Sequence, residues 1–94
     1  MNILLRQHAL QRMFEREISM EDIRNVLFYG VVIEDYPDDT PYPSSLRLGD
    51  DKQGRPLHVV AAENQEEKQI IIITVYHPNP ELWMSDWTTR RNRI

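Results

Sequence analysis

The sequence contains no cysteine, which excludes a disulfide framework, a thiolate metal site and cysteine chemistry, and fits a reducing compartment. It has no long apolar run either. Ile70 to Ile73 is a stretch of four, far short of the ~20 residues that span a bilayer. Positive charge is not in excess: 11 Lys and Arg stand against 15 Asp and Glu, a formal net charge of −4. That balance argues against a protein that coats nucleic acid by bulk electrostatics. There is no Gly-x-x-x-x-Gly-Lys phosphate loop, no Gly-x-Ser-x-Gly elbow and no dinucleotide fingerprint, so no cofactor is expected. His8, His58 and His77 form no His-x-x-x-His or His-x-His pair, and no metal is expected. The opening Met1-Asn2-Ile3-Leu4-Leu5-Arg6 lacks a signal peptide's apolar region, which predicts a cytoplasmic protein with no membrane association. A chain of 94 residues allows one domain, 1–94.

Charge is distributed unevenly. Glu34, Asp35, Asp38, Asp39, Asp50 and Asp51 crowd one segment opposed only by Arg47, whereas Arg90, Arg91 and Arg93 end the chain without an acid. Either run reads as a solvated surface or as a docking element.

Leu5, Ala9, Leu10, Met13 and Phe14 recur at helical spacing, predicting an amphipathic helix from about Leu4 to Arg16. Ser19, three residues before Asp22, signals the start of a second helix, whose apolar stripe is Met20, Ile23, Val26 and Leu27. Gly30 is expected to end it by adopting positive φ. The period then changes to that of strands. Val31–Tyr36, Ser45–Leu48, Leu57–Ala62 and Gln69–Tyr76 read as strands, the last apolar on both faces and so placed inside the sheet. The segment Pro37 to Pro43, with three prolines, must be a loop. Glu81 to Thr88 is expected to form a short C-terminal helix or cap that lays Leu82, Trp83 and Trp87 on the sheet. The predicted fold is α+β: two N-terminal helices packed on a mainly antiparallel four-stranded sheet.

His8, Arg12 and Arg16 follow one another at i, i+4 and i+8, beside the apolar stripe of the first helix. Such a row suits a phosphate or carboxylate, or else pairs with Glu15, Asp22 and the acidic loop to pin helix to sheet. A second constellation joins Tyr76, His77, Trp83, Trp87, Arg90 and Arg91 near the end of the chain. Aromatics interleaved with Arg can stack on bases and hold phosphates, or serve as core anchors and a partner-binding tail. Strand alternation puts His58 with Val60 and Ala62, and His77 with Ile73 and Val75.

The run His8-Ala9-Leu10-Gln11-Arg12-Met13-Phe14-Glu15-Arg16-Glu17-Ile18-Ser19 resembles the His-Ala-x-x-Arg-Met-x-x-Arg-x-Ile-Ser opening of a family of small bacterial proteins of unknown function. That family is grouped with the RelE/BrnT-like toxins of toxin–antitoxin systems. The resemblance continues through Gly30, Ile33-Glu34-Asp35-Tyr36-Pro37, Gly54-Arg55-Pro56-Leu57-His58-Val59-Val60, Ile73-Thr74-Val75-Tyr76, Pro78, Trp83 and Arg90-Arg91. It implies a compact α+β fold, metal-independent mRNA cleavage or a translation block, and contact with RNA or the ribosome. It also implies a cognate antitoxin of zinc-ribbon or helix-turn-helix type. Carried over by position, His8, His58 and Tyr76 are the expected catalytic groups, and Arg12, Arg16, Arg90 and Arg91 the phosphate or RNA contacts. The competing expectation is a non-catalytic protein–protein interaction module of the same fold.

Overall fold

The computed structural model describes residues 2–92; Arg93 of the basic tail lies outside them. The chain runs β1 (Asn2–Leu5), α1 (Gln7–Arg16), α2 (Met20–Tyr29), β2 (Val31–Tyr36), β3 (Ser44–Asp50), β4 (Pro56–Asn64) and β5 (Gln69–Tyr76). The strands form one sheet in the order β1-β5-β4-β3-β2. β2 to β5 are an antiparallel meander, while β1 lies parallel to β5, Asn2 opposite Gln69 and Leu5 opposite Ile72.

The sheet is therefore five-stranded and mixed, where four antiparallel strands were expected. The difference comes from Ile3-Leu4-Leu5. Helical spacing drew Leu5 into the first helix, but an apolar run beside β5 covers what would otherwise be a bare hydrophobic edge. The helix starts two residues after Leu5, at Gln7.

Glu17, at φ 55°, closes α1 in the left-handed conformation, and Ile18 turns inward to 4% exposure. The second helix begins with a full capping box. Ser19 Oγ accepts the Asp22 amide at 3.1 Å, and Asp22 Oδ2 accepts the Ser19 amide at 3.0 Å. Asp22 Oδ1 also accepts the Lys52 amide at 2.9 Å, tying the helix start to the β3–β4 turn. Gly30 ends α2 for a different reason from the expected one. Its backbone is extended (φ −80°, ψ −178°), but a Cβ there would collide with the carbonyl oxygens of Leu48 and Val26. Close approach of helix end to strand, not positive φ, requires the glycine.

Both helices pack on one face of the sheet, α1 over β5 and α2 over β3 and β4. Ala9, Ile18, Ile23, Val26 and Leu27 meet Leu57, Val59, Ala61, Ile70, Ile72 and Val75 there. A bulge at the step from Val60 to Ala61 leaves Ile73 without an opposite residue, so Ile70, Ile72 and Val75 all face the helices.

Among the described residues the far face carries no helix. Glu81 to Thr88 forms turns and one isolated bridge, Trp83 to Arg90, instead of the expected final helix. Asp86 explains this: its carboxylate accepts the Thr88 and Thr89 amides and the Thr89 hydroxyl, at 3.0, 3.1 and 2.8 Å. A side chain that captures nearby backbone donors competes with a helix. Those bonds, led by the Thr88 amide, hold the Asp86 carboxyl down to about 2. Trp87 takes a left-handed φ of 61° inside the turn.

Asp22 is 3% exposed. Burial pushes its carboxyl up, but the amides of Ser19 and Lys52 outweigh that and hold it below the ordinary value of 3.8. Its stabilising contribution is thus complete above that value and is lost as pH falls through the lower folded-state value. Asp22→Ala removes a cap and orphans two amides, which should cost about 2–4 kcal/mol. Urea denaturation at pH 7 is expected to show this loss, and the gap from wild type should shrink below 3.8.

Candidate functional site

Alternation along β4 turns Leu57 and Val59 to the helices and His58 to the far face. His58 lies opposite Leu48 on one side and Tyr76 on the other. On β2, Glu34 is opposite Leu46 and Tyr36 opposite Ser44, so both side chains join the same face. The register shift between Val32 and Glu34 sets that placement. The C-terminal segment crosses this face and closes it.

Trp83, 2% exposed, stands edge-on to His58 with ring centroids 4.6 Å apart and planes at 89°. Tyr76 meets the same imidazole at 5.2 Å and 69°. The Arg90 guanidinium lies 4.5 Å above the Trp83 ring, a cation–π contact. Arg90 Nε and Nη2 reach the two Glu34 oxygens at 3.1 and 3.3 Å, and the Tyr36 hydroxyl donates to Glu34 Oε2. Arg91 braces the segment, its Nε donating to the carbonyls of Pro80 and Trp83 at 2.8 and 3.0 Å.

His58 has no exposed surface. Its Nε2 lies 2.8 Å from the Trp87 carbonyl, which only accepts, so Nε2 carries the proton. Nδ1 then accepts from the Tyr76 hydroxyl at 3.2 Å. Burial holds the imidazole below its ordinary value of 6.5; the Trp87 carbonyl opposes this and the Arg90 charge assists it. Burial likewise raises the Tyr76 and Tyr36 phenols, and Glu34 raises Tyr36 further. The hydrogen bond from Arg90, then that from Tyr36, keeps the Glu34 carboxyl low, and Arg90 is raised in return.

The expected composite site is not assembled. His8, Arg12 and Arg16 sit on α1, in the helix layer, whereas His58, Tyr76 and Arg90 occupy the opposite face of the sheet. His8 is exposed, and Arg12 makes a 3.9 Å contact with Glu15 between half-exposed side chains, which contributes little. Arg16 borders a polar cavity of about 280 Å³ with Glu17, Asp22, Asp51, Lys52 and Arg55. Arg91 is engaged with backbone carbonyls rather than open to phosphate. Both nitrogens of His58 are occupied, so in this conformation it cannot exchange a proton with a substrate.

Sequence reasoning missed Glu34 and Tyr36 as partners of the C-terminal arginine. The signal was their spacing of two in a strand, hidden by counting Glu34 among loop acids. His77 also lies on the helix side, its Nδ1 donating to the Pro56 carbonyl at 2.9 Å. Its Nε2 is buried without a hydrogen-bond partner, 3.9 Å from Asp51 Oδ2. Among the described residues no three His, Asp or Glu side chains converge as a metal site, and no helix is long and apolar enough to cross a membrane.

Of the known protein families, the one described as "Domain of unknown function (DUF4258)" matches residues 5–77. That span takes in His8, Arg12, Arg16, His58 and Tyr76 and stops before Trp83 and Arg90, the residues that close the far face. No curated protein and no solved structure matches the chain.

A buried histidine kept neutral by the fold binds fewer protons than it does in the unfolded chain. Its contribution is full above 6.5 and is lost as pH falls from there toward the lower folded-state value. Wild-type stability should therefore fall as the pH drops below about 6.5. His58→Gln retains a donor for the Trp87 carbonyl and should cost about 1–2 kcal/mol at neutral pH while removing that slope. Urea titrations of both proteins across this range are the check.

Proposed function

The chain belongs to the DUF4258 family, and from that starting point we propose that it is a non-catalytic protein-binding module. In this reading the likeness to RelE/BrnT toxins describes its partner, a cognate antitoxin in the cytoplasm, more than an RNA chemistry. The observation that carries the proposal is the closure of His58. General acid–base cleavage of RNA needs two proton-exchanging groups and a cation facing one phosphate. Here the solvent-facing histidine-and-arginine row on α1 lies across the sheet from Tyr76 and Arg90. The molecule also exposes large apolar side chains: Leu10 and Phe14 on α1, and Phe28, Tyr29, Val31 and Val32 where α2 passes into β2. Large exposed apolar side chains gathered on one protein mark a surface for a partner.

One observation favours a second reading, an RNA-directed toxin. Glu34, Tyr36, His58, Tyr76 and Arg90 have shifted protonation equilibria and lie in one network, as groups do in many active sites. For that chemistry the C-terminal segment has to lift. His58 would then take the 2′-hydroxyl proton as that oxygen attacks phosphorus, Arg90 would hold the phosphate, and Tyr76 would protonate the departing 5′ oxygen.

The two readings separate in one set of experiments. Purified protein is incubated with single-stranded RNA and with translating ribosomes, and the chain is induced alone in a bacterial host. The module reading expects intact RNA, unimpaired translation, unchanged growth, and co-purification with the small protein encoded beside it. RNA cleavage that disappears in a folded His58→Gln variant would overturn it.

A further inference from the structure

β2 ends the sheet, and no strand among the described residues pairs with its outer side. Open edges are usually blunted by charge, by proline or by extreme shortness. β1, the other edge, is short at four residues, but β2 has six and begins with two valines at 56% and 46% exposure. Phe28 and Tyr29, 67% and 84% exposed, immediately precede them and line an open groove of about 380 Å³. A row of free backbone groups thus adjoins an apolar corner. The other end of the strand is acidic: Asp35, Asp38 and Asp39 are exposed. Two copies meeting antiparallel through β2 would set the acidic end of each against the other's valines, whereas a basic segment meets these acids with opposite charge, so the charge favours a cationic occupant over self-pairing.

We propose that β2 accepts an extended segment of another protein with aliphatic residues at one end and Lys or Arg at the other. The segment adds a sixth strand to the sheet, since main-chain hydrogen bonds supply affinity and alternate side chains supply specificity. Its aliphatic end covers Val31 on one face of the sheet and Val32, Phe28 and Tyr29 on the other, and its basic end lies beside Asp35, Asp38 and Asp39. This rests on the protein-binding reading above and names the surface that reading would use.

The test is an NMR titration of the full chain with a ten-residue peptide of five lysines followed by five valines, the order that antiparallel pairing with β2 requires. Two controls accompany it: the same peptide with glutamate for lysine, and one with proline at its centre, which lacks a ladder donor. The expected result is perturbed and slowed-exchange amides confined to Val31–Tyr36, Phe28 and Tyr29. Binding should be about tenfold weaker for either control and should weaken with salt. Asp35→Lys, a charge reversal on an exposed side chain, should weaken the lysine peptide by a similar factor while leaving the fold intact. Equal binding of lysine and glutamate peptides, perturbations on other elements, no binding, or a concentration-dependent dimer through β2 would each overturn it. If the neighbouring protein still co-purifies after such an outcome, this surface fails and the module reading stands. RNA cleavage dependent on His58 sinks the module reading whatever the peptide does.

Discussion

The run Ile70 to Val75 tolerates water on neither face and on neither edge, and the rest of the molecule answers that demand. β1 covers one edge in parallel and β4 the other in antiparallel register. The helices take the face carrying Ile70, Ile72 and Val75. The opposite face then needs a cover of its own, and the stretch after Tyr76 supplies it. That stretch brings Trp83 over His58. The closure of the imidazole is therefore a by-product of hiding β5 from solvent, not an independent design.

Magnitudes show what holds that cover in place. The Arg90–Glu34 pair is bidentate but largely in water, its side chains 59% and 29% exposed, and pairs of that kind contribute about 0.5–1 kcal/mol. Burying a side chain as large as Trp83 contributes about 2–3 kcal/mol. The aromatic ring anchors the segment, and the ion pair orients it. Arg90 acts on both sides of this arrangement, stacking on the indole while it neutralises Glu34.

Much of the architecture could be read from local chemistry. The limits of the last strand follow from six consecutive β-branched residues, and the second helix start from Ser19 and Asp22. Both are short-range signals, and short-range signals survive folding. The missed elements were decided at long range. Ile3-Leu4-Leu5 has no intrinsic preference between helix and strand; a partner 67 residues away settles it, Ile3 opposite Ile70. The final helix lost to a local competitor, the Asp86 side chain, whose reach to Thr88 and Thr89 apolar periodicity does not register. The candidate site failed for a third reason. Alternation correctly grouped His58 with Val60 and Ala62, yet nothing in a single strand says which of its faces the helices will choose. A site drawn from two elements is legible only when that choice is known.

The closed face also bears on how function is divided. Exposing His58 requires lifting Trp83 and breaking the bond to the Trp87 carbonyl, which together cost about 4 kcal/mol. A conformation that far uphill is populated about once in a thousand molecules, and any chemistry drawing on it carries that factor unless a bound ligand offsets it. The β2 edge and the Phe28–Tyr29 corner need no such opening, because they are exposed in the ground state. Binding there proceeds from the populated structure, and main-chain groups already held in register by β3 lose little further freedom when a strand is added. An RNA ligand able to lift the segment would have to replace the indole's burial with stacking of its own, at about 1–3 kcal/mol per base. Its phosphates would also meet the Glu34 carboxylate on that face, so electrostatics works against the ligand that would have to do the lifting.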